Sequence, residues 1–326
     1  MPMLIPIILI LIGFVLLIWS ADLLVDNASI VADQLGVSTF LIGVIIIGFG
    51  TSAPELFVSA MAALENKGSL ALGNALGSNI TNIGLVLGTA AMIKQLDVSH
   101  STAVKDIPVI IVAGLVAVAV VLDGTLSNID GVFLLVILIS YLIWAAKKSA
   151  NNDNLDLSSD TTDDELLENN SGASKSLLIA GLLTALSIVL LVIASRMLVY
   201  GAIEIATLLN INELIIGLTV IAIGTSLPEL AAAIAAARKG AHQMIIGNII
   251  GSNVFNILGV LGITGTIQAT QIELDALSRD FPIMFFFSIL MLIFALTKGR
   301  LSRPEGAILL ITYIVYICYL AITTLQ

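Results

Sequence analysis

The sequence predicts an all-α integral membrane protein: ten transmembrane helices as two inverted five-helix repeats, with helices 2 and 7 broken. Three observations predict it: a shortage of charge, the length of the apolar runs, and a segment that occurs twice. Of 326 residues, 58% are apolar and 11% charged, against about 25% charged in a soluble domain. The net charge is −10, yet seven of the acidic residues fall within 151–170. Elsewhere no Asp, Glu, Lys or Arg interrupts 3–20, 34–54, 68–93, 176–195, 240–272 or 306–326. An uncharged apolar run of about 18 residues is long enough to cross the hydrocarbon layer. A soluble domain, a disordered chain and a nucleic-acid binder are thereby excluded. So is a β-barrel, because the apolar residues run continuously rather than alternating.

The spans follow in order. The first, 3–32, opens without a basic segment or a small-residue cleavage site, so it reads as a helix rather than a removed leader. Next come 39–64 and 70–93, then the shorter runs 107–122 and 130–146, which complete a first unit over 1–146. Residues 147–175 are polar, acidic and poor in aromatics, a composition that buries too little apolar surface to fold alone. They read as a solvated linker. A second unit over 176–326 holds 176–208, 213–237, 243–268, 281–297 and 305–323. Cys318, the lone cysteine, lies in the last of these and reads as a packing residue.

Orientation follows from the basic residues. The loops after spans 1, 3, 5, 7 and 9 carry ten of them, including Lys147, Lys148, Lys239 and Arg303; the opposite loops carry two, Lys67 and Arg279. Both termini are expected outside and the 147–175 loop in the cytoplasm. Arg196, Asp22 and Asp26 fall toward span ends, where snorkelling or a gate-side salt bridge is expected rather than ion binding.

Residues 43–88 align with 217–262 at a constant offset of 174, and twenty of the 46 positions are identical. The same offset lays Leu24, Val25 and Ala28 on Leu198, Val199 and Ala202, so the repeat reaches back into spans 1 and 6. A unit of five crossings followed by a second copy must insert upside down. Repeats inverted about an axis in the membrane plane are typical of secondary transporters, whose substrates bind near the midplane.

The two copies read GFGTSAPEL…GNALGSNITN and AIGTSLPEL…GNIIGSNVFN. Pro54 and Pro228 each remove a backbone donor, and Gly50 and Gly224 loosen the same turn, so both helices should break there. Beside the breaks stand Thr51, Ser52 and Glu55 in one copy and Thr225, Ser226 and Glu229 in the other. Ser78 with Asn82, and Ser252 with Asn256, form i,i+4 pairs on the following spans. A carboxylate inside the membrane costs several kcal/mol unless it is paired, and neither broken segment contains a Lys or Arg. Carboxylates, hydroxyls, amide oxygens and free carbonyls make an all-oxygen site for a hard cation. Two glutamates would neutralise one Ca²⁺. Gly73, Gly77, Gly88, Gly247, Gly251 and Gly262 read as close-packing positions, and Asn79 and Asn253 as ligands or packing hydrogen bonders.

These paired motifs resemble the α-repeats of the cation/Ca²⁺ exchanger superfamily, specifically its prokaryotic Na⁺/Ca²⁺ exchangers. The resemblance implies an antiporter of the cell (inner) membrane that exchanges Na⁺ for Ca²⁺, with the lipid bilayer as surroundings and no cofactor or obligatory protein partner. It implies Ca²⁺ held chiefly by Glu55 and Glu229, with Thr51 and Thr225 contributing carbonyls. Ser52, Ser78, Ser226 and Ser252 would complete overlapping Na⁺ sites, and the backbone carbonyls of Gly48 and Ala222 would face an ion. One departure is that Asn stands at both 82 and 256, where some relatives and the K⁺-dependent branch carry an acid at the second position. Coupling to H⁺ or a dependence on K⁺ are the alternatives. An intramembrane enzyme would need two carboxylates in different environments, which a repeat does not supply.

Overall fold

The computed structural model describes residues 3–152, 176–209 and 222–324. Ten helices are present among them. In the first half they are α1 (Leu4–Leu35), α2 (Thr39–Leu64), α3 (Gly68–Ile93), α4 (Thr102–Val121) and α5 (Asn128–Asn152). In the second they are α6 (Leu177–Leu208), α7 (Ala222–Thr225 and Leu227–Lys239), α8 (His242–Ile267), α9 (Ala276–Lys298) and α10 (Arg303–Thr324). All but α7 are long and apolar enough to span a membrane, among the described residues. The expected start of the seventh span, 213–221, and most of the linker, 153–175, lie outside the described residues. α5 runs on to Asn152, past the expected end at 146.

The layers follow from composition. α1 and α6, the two 32-residue helices, pack antiparallel on each other and turn most of their surface outward. Their contact is close: a Cβ at Gly201 would stand 2.7 Å from the Pro6 carbonyl, and one at Gly13 3.1 Å from the Ala194 carbonyl. α8 is enclosed by protein along its whole length, and α3 along most of it. Enclosure by protein lets these two helices carry asparagines and serines along their length, whereas α1 and α6 turn mostly apolar side chains outward and keep Ser20, Asn27, Ser187 and Ser195 buried. Cys318 departs from expectation. It is exposed on α10 beside Ile314, Val315 and Ile322, on a surface that meets lipid rather than the core.

Two small antiparallel ribbons join the halves. β1 (Leu96–Asp97), after α3, pairs with β4 (Arg300–Leu301), after α9. β2 (Thr125–Leu126), after α4, pairs with β3 (Thr270–Gln271), after α8. The 174 offset turns Leu96–Asp97 into Thr270–Gln271, so each ribbon is the other's repeat mate with the halves exchanged. It also fixes the direction of the chain. α3 ends where α9 ends, and its repeat mate α8 ends where α4 does, at the opposite end of the bundle. The halves are inverted.

Matching caps follow the ribbons. Ser127 donates from its amide and hydroxyl to Asp130 (2.9 and 2.6 Å) at the start of α5. Ser302 does the same to Glu305 (2.7 Å each) at the start of α10. Each arrangement satisfies amides at an exposed helix start.

Candidate cation site

Glycines bring the site helices together. α2 and α8 cross with Gly43 against the Met244 carbonyl, Gly247 against Phe40 and Gly251 against Val44, each leaving no room for a Cβ. The packing role expected of Gly88, Gly247, Gly251 and Gly262 is therefore observed, whereas a Cβ at Gly73 or Gly77 would meet nothing within 4 Å among the described residues, so these two are not close-packing positions here. The approach of α2 to α8 sets Ser252 Oγ 3.4 Å from the Gly48 carbonyl and Thr51 Oγ1 3.5 Å from Asn248 Oδ1.

The proline breaks differ between the halves. α2 stays helical through Pro54, with a wider π-helical stretch at Gly43–Ile47 just before it. Thr51 and Glu55 consequently share one face, as their spacing predicts. In α7 the helix is interrupted at Ser226 (φ −91°, ψ 8°), so Thr225 and Glu229 sit on either side of a turn instead. Pro228 cannot donate to the carbonyl four residues back, that of Gly224. That carbonyl instead accepts the buried Ser195 hydroxyl of α6 at 2.7 Å. At the matching place in the first half stands Ala21, which has no donor. Ser195→Ala should leave the Gly224 carbonyl buried without a partner, at about 1–3 kcal/mol. We expect a lower melting temperature for the purified protein, and none of this loss in Ala21→Ser.

Glu55 and Glu229, one from each half, are both 1% exposed. Neither has a Lys or Arg within ion-pair distance among the described residues. Ser52 Oγ donates across the halves to Glu229 Oε1 at 3.4 Å. Both oxygens of Glu55, Oε2 of Glu229, both side-chain atoms of Asn82 and of Asn256, and Ser226 Oγ have no hydrogen-bond partner among the described residues. Ser78 is buried one turn before Asn82. Buried polar atoms are ordinarily satisfied, so such a concentration of oxygen-bearing groups asks for a ligand. The structure thus joins Thr51, Ser52, Glu229, Ser252 and the Gly48 carbonyl through direct contacts. Ser78, Asn82, Asn256, Ser226 and Glu55 are buried on the same four helices, with no side-chain hydrogen bond to that set among the described residues. Thr225 and Ala222 lie on the short turn that precedes the break.

Two residues outside the expected ligand set hold it in place. Asn74 Nδ2 donates to Ser59 Oγ (3.0 Å) and to the Glu55 carbonyl (3.4 Å), tying α3 to the turn after Pro54. Its repeat mate Asn248 accepts from Ser252 at 3.3 Å as well as from Thr51. The repeated Gly-Asn of both motifs was their signal. Of the asparagines left open, Asn253 bonds its own helix at the Ile249 carbonyl (2.6 Å), and Asn79 approaches Met284 of α9 (3.5 Å). Five π-helical stretches among the described residues had no sequence signal; those at Asn82–Leu87 and Phe255–Val260 carry Asn82 and Asn256. Such widened turns often lie at functional sites.

Ten helices in two inverted halves, nine of them long and apolar enough to cross a membrane among the described residues, with a buried carboxylate from each half, define a membrane transporter of the inverted-repeat class. Comparison with known proteins agrees. The family described as sodium/calcium exchanger protein matches residues 5–147 and 179–322. The inner membrane protein YrbG of Escherichia coli (strain K12) is 39% identical over 91% of this chain and 90% of its own length. The sodium/calcium exchanger MaX1 of Methanosarcina acetivorans is 29% identical over 96% of this chain and 97% of its own. A solved structure of the sodium-calcium exchanger NCX_Mj matches with a TM-score of 0.83 and 32% identity, covering 97% of this chain and 99% of that one. The chain belongs to the sodium/calcium exchanger family.

Proposed function

We propose that this protein is a secondary active antiporter that exchanges Na⁺ for Ca²⁺ at one midplane site, opened to each side in turn. The observation that carries the reading is the pair Glu55 and Glu229: buried, contributed by opposite halves, and without a cationic partner among the described residues. Hydroxyls of Ser52, Ser78, Ser226 and Ser252, carboxamides of Asn82 and Asn256, and carbonyls of Gly48, Thr51, Ala222 and Thr225 supply the other oxygens. Ca²⁺ takes six to eight such ligands.

The charge sets the coupling. An empty site carries −2, and moving it through a low-dielectric barrier is costly. One Ca²⁺ cancels the charge, and so do two Na⁺. Either load lets the protein change state, and neither can bind while the other occupies the carboxylates. Movement of more than two Na⁺ per Ca²⁺ would transfer net charge, and the membrane potential would then contribute about 2.3 kcal/mol per charge per 100 mV. The basic residues orient the bundle with both termini outside and the 147–175 linker in the cytoplasm.

Competition at equilibrium tests the shared site. Bound ⁴⁵Ca²⁺ on purified protein should fall as Na⁺ rises and stay constant as K⁺ replaces an inert cation. Displacement by protons but not by Na⁺ would favour the H⁺-coupled alternative. A requirement for K⁺ would favour the K⁺-dependent one.

A further inference from the structure

Lys239 closes α7 and reaches across to α1. Its Nζ lies 2.7 Å from Asp26 Oδ1 and 3.9 Å from Asp22 Oδ1, and it donates to the Asp22 carbonyl at 2.8 Å. The contact belongs to the end of the bundle that carries the β1–β4 ribbon, since His242, three residues on, accepts the Asp97 amide of β1 at 3.3 Å. α1 is one of the two outer helices, whereas α7 carries Glu229. An ion pair here therefore fastens the outer layer to the site helix at one end.

The repeat supplies a counterpart at the other end. Shifting Asp22 by 174 gives Arg196 on α6, and shifting Lys239 back by 174 gives Glu65 at the end of α2. Both charges are reversed, so a matching pair of opposite charges is available. In this structure it is not made. Glu65 pairs with Lys67 at 2.7 Å, where both side chains are more than half exposed, and Arg196 is exposed with no carboxylate in ion-pair distance among the described residues. One fastening is closed while its repeat mate is open. An inverted repeat reaches its other state when the halves exchange conformations, which would open Lys239 from Asp22 and Asp26 and bring Arg196 to Glu65.

We propose that Lys239 with Asp22 and Asp26, and Arg196 with Glu65, are alternating latches that position α1 and α6 and so set which end of the site is shut. The inference rests on the alternating-access reading given above. It gives a role to Asp22, Asp26 and Arg196 on two mostly apolar helices.

The test uses the full-length Cys318→Ser protein in lipid bilayers, spin-labelled at Asp33→Cys and Arg238→Cys. Double electron–electron resonance reads the separation of α1 from α7. Two separations are expected. Lys239→Glu should raise the share of the longer one about fivefold and Arg196→Glu should lower it about fivefold, the scale of a partly exposed ion pair. Reversing the partners, Asp22→Lys with Asp26→Lys in the first case and Glu65→Arg in the second, should restore the wild-type ratio. Shifts in the same direction, no shift, or failure of the swaps to restore the ratio would overturn the latches, leaving Arg196 as a snorkelling side chain. The distances do not depend on which ion is carried. Opposite shifts in a protein that exchanges no Ca²⁺ would support the latches and sink the Na⁺/Ca²⁺ reading; unmoved distances with exchange intact would sink the latches alone.

Discussion

Replacing Glu55 by Gln should reduce Na⁺-driven Ca²⁺ uptake at least a hundredfold, and Glu229→Gln should do the same. The change keeps the side chain's shape and removes one of two charges. A bound Ca²⁺ would then be buried with an uncancelled positive charge, and an unbalanced buried charge costs about 3–5 kcal/mol. At about 1.4 kcal/mol per decade that is about two to three and a half orders of magnitude in affinity. Stability should move the other way. Both oxygens of Glu55 lack partners among the described residues in the ion-free protein, so the neutral amide should fold at least as well. Uptake and melting temperature, measured together on both variants, separate a lost ligand from a lost fold. A variant retaining more than about a tenth of wild-type uptake would remove that glutamate from the site.

Gly251→Ala should have the second largest effect, and on folding rather than on charge. A Cβ at this position would overlap the Val44 carbonyl and lie 2.8 Å from Val44 Cα. These are backbone atoms, which cannot rotate away as a side chain could. Alanine's greater helix propensity contributes only about 1 kcal/mol in favour, whereas overpacking a tight seam costs about 3 kcal/mol. The clash wins. Pushing α2 from α8 would also lengthen the contacts of Ser252 with the Gly48 carbonyl and of Thr51 with Asn248. We expect a lower yield of folded protein and a melting temperature reduced by several degrees. Gly181→Ala, where a Cβ meets nothing within 4 Å among the described residues, should lower neither, since only the favourable helix propensity of about 1 kcal/mol acts there.

Much of this architecture could be read from the chain because an inverted repeat states its design twice. The charge-free runs located the helices, and the odd number of crossings per repeat implied the inversion that the ribbons display. The duplicated GTS-x-PE and GSN segments pointed to Glu55 and Glu229 before any contact was known. What escaped has physical reasons. A π-helical turn adds one residue per turn and barely disturbs an apolar pattern, so the stretches carrying Asn82 and Asn256 left no trace. Ribbons two residues long have no periodicity to detect. Ser195 lies outside the conspicuous motifs, and its role depends on a carbonyl that Pro228 strands in another helix. Pro54 leaves α2 helical while α7 is interrupted at Ser226, a difference that two motifs alike at Gly-Thr-Ser-x-Pro-Glu do not announce. Cys318 reads as a packing residue from the sequence because an apolar run does not reveal which of its faces meets lipid.

Uptake of ⁴⁵Ca²⁺ into proteoliposomes loaded with Na⁺, with K⁺, or with buffer that sets a pH gradient tests the central claim most directly. Uptake into the Na⁺-loaded vesicles only, abolished by Glu55→Gln, is the predicted result. Uptake driven equally by a pH gradient in Na⁺-free vesicles, or unaffected by the substitution, would contradict it.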